Sequence, residues 1–188
     1  MTTSRAMPTE AKPELEFDRS TPIDFDDVDL VRGFSFHGPW GDAIVREPPP
    51  CSWVHGPKDV DNRNKPPPKQ RVGRFFAVHT SQKVSRAGME RLRYTHGYDW
   101  TEADLSPAGL ILGVARIVGI TRKAEGWCFG ETWEGEPNYG WMIDTVLTFA
   151  EPIAGVSGMM GLWRPKEEHR LLIIDRMCAT LAAREARL

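Results

Sequence analysis

A chain of 188 residues, 40% hydrophobic and 27% charged, has the makeup of one globular domain with decorations, and its net charge of -2 by itself excludes no class of partner. Its three cysteines, Cys51, Cys128 and Cys178, form no CxxC pair, which argues against a disulfide framework and for a reducing compartment. No stretch reaches the roughly 18–20 apolar residues of a membrane helix, and no basic-then-apolar leader opens the sequence, so a cytoplasmic protein is expected.

Residues 1–30 read as a polar, acidic leader ending in Asp24, Asp26, Asp27 and Asp29, with little regular structure of its own. Its carboxylates are either solvated or laid over a basic surface. Phe34 and Phe36 then sit two apart, as on one face of a strand, before a turn at Gly38-Pro39. Residues 40–46 fit a short helix ended by Pro48, Pro49 and Pro50. Gly56-Pro57 marks a turn, and an extended segment after it would put Asp61 and Arg63 on one face.

A proline loop at Pro66, Pro67 and Pro68 leads to residues 73–79, whose aromatic and branched side chains predict a strand. Ser85 is positioned to cap a helix running to about Tyr94, and Thr101 opens a second capped turn. Residues 109–120 fit a buried strand, 139–150 an alternating one, and 159–163 a last short one. Residues 167–186 form a helical stretch, with Leu171, Leu172, Met177 and Leu181 expected on its apolar side. The division is a leader at 1–30, a domain at 31–165 and a C-terminal helix at 166–188. The fold class is α+β, with a mixed sheet curling into a small barrel.

The densest chemistry lies in residues 56–63. Lys58, Asp61 and Arg63 bring an ammonium, a carboxylate and a guanidinium together, and Gly56 lets backbone come close to a ligand. Arginine forks two hydrogen bonds onto a phosphate or a base edge, and an adjacent aspartate orients it. The plainer alternative is a surface turn whose charges pair with one another, worth about 0–1 kcal/mol.

The pattern Gly56-x-Lys58-x-x-Asp61-x-Arg63 resembles the Gly-x-Lys-x-x-Glu-x-Arg signature of the ASCH domains, a branch of the PUA-like superfamily, with aspartate at the glutamate position. The flanks are similar too: Pro39-Trp40 and a short helix before the signature, a strand ending in His79 after it, and a closing element at 158–164. The resemblance spans residues 31–165. It implies a small β-barrel with helices at its ends and a cleft, bordered by the signature, that suits RNA, single-stranded nucleic acid or a modified base. One branch of the family removes the acetyl group from N4-acetylcytidine, using the signature lysine, a threonine where this chain has Asp61, and a distant glutamate. On that reading Lys58, Asp61 and Glu131 would be catalytic, with Glu134 a second candidate for the glutamate. Asp59 and Asp61 are expected to raise the pKa of Lys58, which would make it a poor base.

Residues 58–93 carry ten lysines and arginines against three acidic residues, a basic segment in a mildly acidic chain. His37, His55 and His79 fall in the segments that would border the cleft. Their spacing gives no metal motif, and no cofactor is implied. His79 fits a structural, backbone-bonded role better than contact with a phosphate; Ser81 and Lys83 beyond it are candidate contacts. Trp40 and Trp53 could stack on a base, although Trp40 reads more readily as core. Trp133 falls on a loop-like stretch near Trp127 and Trp141. The leading expectation is a nucleic-acid-binding module. The alternatives are an amidohydrolase on an acylated nucleoside and an interaction scaffold that docks a partner through its terminal helix.

Overall fold

The computed structural model describes residues 31–52, 56–121 and 139–186. Its elements run β1 (Arg32–Gly38), α1 (Trp40–Val45), β2 (Val60–Arg63), β3 (Phe75–Val84), α2 (Arg86–His96), β4 (Ile111–Thr121), β5 (Tyr139–Ile153), β6 (Leu162–Trp163) and α3 (Glu167–Glu185). The strands of the described residues form one six-stranded sheet in the order β2-β5-β4-β3-β1-β6. Only β1 and β3 pair in parallel, and the crossover between them carries α1 and β2.

The sheet curls. In a flat sheet, β5 and β1 lie three places apart, about 14 Å at the usual strand spacing. The rings of Trp141 on β5 and Phe34 on β1 are nevertheless 5.7 Å apart. The guanidinium of Arg63, on the β2 edge, lies 4.2 Å from the Phe34 ring, four strands away. The result is a half-barrel with large side chains closing its open side.

The curl separates two cores. Phe34, Phe36, Phe76, Val78, Ile117, Trp141 and Ile143 fill the inside, with Ile44 and Val45 of α1 packed among them. On the outside, Ala77, Val114, Leu147, Phe149 and Trp163 pack against Ile173 and Met177 of α3. The odd–even alternation of β3 sends Phe76 and Val78 inward and Ala77 outward. A third cluster of Ala43, Val60, Leu92, Tyr98 and Trp100 fastens α1 and β2 to α2. The buried Asp42 accepts from the N–H (3.1 Å) and hydroxyl (2.6 Å) of Ser106, tying α1 to the chain beyond α2.

The expected elements are present with three corrections. β3 does not end at His79 but runs to Val84, because the far end of β1 gives it a partner. α2 continues past Tyr94 to His96, where Gly97 at φ 71° supplies the left-handed stop, and Ser85 caps its start by accepting from the Gly88 N–H at 3.0 Å. In α3, Leu171 and Leu172 are exposed, while His169, Ile173 and Met177 are buried. His169, Ile173 and Met177 recur every four positions, with Arg170 buried beside the first. Leu171 stands six residues from Met177, about 240° around a helix, on another side. α3 contributes directly to the outer core of the domain. Among the described residues no helix is long and apolar enough to cross a membrane.

Candidate ligand-binding cleft

β2 is an edge strand paired on one side with β5, with Asp61 opposite Trp141 and Arg63 opposite Tyr139. Strand alternation puts Asp61 and Arg63 on the same face, turned into the curl. Lys58 precedes the strand. Its backbone N–H donates to Ala43 O at 2.7 Å, which anchors the approach to β2 on α1.

The three signature side chains form one chain of ion pairs. Lys58 Nζ donates to Asp61 Oδ1 at 2.8 Å and to Val60 O at 2.6 Å, and stands 5.9 Å from the Trp40 ring centre. Arg63 Nε donates to the other carboxylate oxygen, Asp61 Oδ2, at 2.5 Å. Lys58 is 2% exposed and Asp61 6%. The side chain of Arg63 is 33% exposed. Its guanidinium lies over Phe34 and reaches toward Phe36 (5.7 Å) and Trp141 (6.0 Å). Below it, Phe34, Phe36, Phe76, Ile117, Trp141 and Ile143 of the inner core, with Leu162 and Asp61, close around a gap too narrow to admit water.

Burial dominates the electrostatics. It lowers the pKa of Lys58 more than Asp61 and Asp59 raise it, contrary to the expectation from the neighbouring carboxylates alone. Burial pushes the Asp61 carboxyl upward, but Arg63 and Lys58 together outweigh it and hold the group below the usual range. Asp61 is therefore a fixed anion that positions two cations, one inside the protein and one at the surface.

Gly56 has φ 81° and open space where a Cβ would stand. That φ is a left-handed turn, which favours glycine. His37 is exposed at the end of β1. Its pKa is lowered by partial burial and then by the charges of Lys83 and Arg63. Ser81 and Lys83 lie on the last part of β3, and Lys83 is exposed. Trp40 is a partly buried wedge between the inner core and the α1–α2 cluster.

His79 does not border this cleft. It pairs in register with Ser35, and both turn to the outer face, where the His79 ring meets Trp163 edge-on at 5.4 Å. Its Nδ1 lies 3.0 Å from Ser35 Oγ and its Nε2 3.1 Å from Val156 O. Both ring nitrogens are engaged within the protein. Trp53, His55, Trp127, Glu131, Trp133 and Glu134 lie outside the described residues.

The sequence reading missed the aromatic walls as a unit. Phe34 and Phe36 alternate visibly, but no local pattern ties them to Phe76 and Trp141. No protein-family model matches this chain, and no curated protein matches its sequence.

Proposed function

We propose that this chain is an ASCH-type, PUA-like domain that binds nucleic acid, RNA or a modified nucleotide in particular, at the surface that Arg63 presents. The observation that carries the reading is the posture of Arg63. Its Nε is bound to a buried carboxylate, its guanidinium lies 4.2 Å from the Phe34 ring centre, and a third of its side chain is exposed. A guanidinium held this way has little freedom left to lose and keeps donors beyond Nε, which suits contact with a phosphate or base edge. The half-barrel and the ion-pair chain through all three charged signature positions agree with the resemblance to ASCH domains.

The test is binding of a labelled single-stranded RNA at two salt concentrations. Binding should weaken with salt, and Arg63→Ala should reduce affinity at least tenfold, within the about 1–3 kcal/mol a bidentate contact is worth. Equal affinity of Arg63→Ala and the parent protein would overturn the reading.

A second reading, the amidohydrolase, is favoured by the burial-lowered pKa of Lys58. Its ammonium, however, is buried and bonds to Val60 O and Asp61 Oδ1. Release of acetate from N4-acetylcytidine, abolished by Lys58→Met, would establish that reading instead.

A further inference from the structure

We propose that the exposed face of α2 is a second contact surface for a single-stranded nucleic acid, on which Tyr94 stacks against a base and Arg86 and Arg93 hold phosphates. The proposal rests on the nucleic-acid reading and extends it from Arg63 to a separate element. Helix geometry builds the surface. Arg86, Glu90, Arg93 and Tyr94 fall within about 100° of one another around the helix. Gly88, Leu92 and His96 recur every four residues on the other side and are buried. Arg86, Glu90 and Arg93 are exposed, and Tyr94 is 76% exposed.

The buried side holds the helix against the signature segment. A Cβ on Gly88 would stand 3.1 Å from Trp40 Cε2, and the same Trp40 ring lies 5.9 Å from Lys58 Nζ. On the exposed side, Glu90 is the one carboxylate of α2. It stands four residues after Arg86 and three before Arg93, the spacings at which helical ion pairs form. It pairs with neither, and among the described residues neither arginine side chain has a hydrogen-bond or ion-pair partner. Arg86 also opens the helix, where the dipole disfavours a cation, and no acidic residue in the first turn offsets it. The charge at Arg86 therefore does not serve the helix. The Tyr94 ring meets no other ring or cation among the described residues and keeps most of its surface in water. Arg86 and Arg93 stand about 10 Å apart along the axis, which puts them on different phosphates. An acidic peptide would use the arginines but not the ring. A free aromatic face between forked cations is what a single strand takes, because every base has a face to stack and every nucleotide a charge.

The experiment uses the full chain and a labelled single-stranded RNA of mixed sequence. Affinity is measured against salt for Tyr94→Ala, Tyr94→Phe, Arg86→Gln and Arg93→Gln, with Arg63→Ala beside them. The three α2 positions are exposed, so the urea midpoint of each α2 variant should match the parent's, which separates a lost contact from a lost fold.

Tyr94→Ala should weaken binding about tenfold, within the range for one stacked base, while Tyr94→Phe keeps the ring and the affinity. Each arginine variant should flatten the salt slope by about 0.7, the share of one phosphate on a single strand. Parent-like affinity of Tyr94→Ala overturns the proposal even where the arginine variants bind more weakly, because any polyanion needs only the charges. Binding that Arg63→Ala weakens and all four α2 variants leave unchanged overturns this surface and leaves the reading at Arg63 standing. Loss with the α2 variants but not with Arg63→Ala supports this surface and overturns the site at Arg63. No binding of RNA by the parent protein overturns both.

Discussion

The two faces of the sheet each carry a buried polar network, and the networks end differently. On the outer face, Trp163 Nε1 donates to Ser35 Oγ at 3.1 Å. An indole N–H only donates, so the serine oxygen accepts from it and the hydroxyl proton goes to His79 Nδ1. The His79 Nε2–H is then left for the carbonyl of Val156, which only accepts. Every link has a partner, burial lowers the pKa of His79, and Gly158 seals the assembly: a Cβ there would collide with His79 Cε1 and Ser35 Oγ. On the inner face, the chain from Val60 O through Lys58 and Asp61 ends on Arg63, with a third of that side chain in solvent. The closed network fastens strands together. The open one uses the same means to hold a donor at the surface.

This contrast can be broken first at Asp61. Asp61→Ala removes the shared partner of two cations and leaves Lys58 buried without its carboxylate, which should cost about 3–5 kcal/mol in a urea unfolding experiment. Unfolding unchanged to within 1 kcal/mol would mean that Lys58 finds water in the folded state. Gly158→Ala attacks the closed network by overpacking. We expect about 1–3 kcal/mol of destabilisation with RNA affinity intact; a matching loss of affinity would show that the two faces are coupled.

A third prediction concerns acid. His96, buried at the end of α2, has its pKa lowered to about 4 by burial, then by Arg91 and Lys58. Its folded value lies below its unfolded value, so the unfolded chain takes up the proton first. Stability is then complete above pH 6.5 and falls as pH drops toward 4, by at most about 1.4 kcal/mol per pH unit. His79 acts in the same direction. Replacing His96 with glutamine should flatten the pH dependence of the urea midpoint over that range, and an unchanged slope would assign it to other groups. The smallest expected effect on stability is that of Arg63→Ala, below about 1 kcal/mol, because the side chain is partly solvated and its pair with Asp61 is one of two. That substitution should instead appear in ligand affinity, which separates the open end of the network from its buried base.

Much of the chain was legible in one dimension. The alternation of Phe34 and Phe36, the apolar run behind β4, the Ser85 cap and the Thr101 turn all depend on neighbours a few residues away, and each element forms near its expected place. The pairing of Asp61 with Arg63 followed from strand spacing, and the link to Lys58 from their closeness in sequence. Only the tertiary structure decided what these groups do. The neighbouring carboxylates alone suggested a raised lysine pKa, but burial reverses the sign, and the buried lysine is held against α1, with its N–H on Ala43 O and its ammonium 5.9 Å from the Trp40 ring centre. His79 was read as bordering the cleft in a backbone-bonded role; it has that role, on Val156 O, but its strand continues and the pleat turns it outward, away from the inner face. Arg63 meets Phe34 only because a twisted sheet curls until strands four places apart touch. Sequence fixes local periodicity, since dihedral preference and alternation act over a few residues. Which side chains share a cleft depends on the curvature of the whole sheet, a property that no segment carries alone.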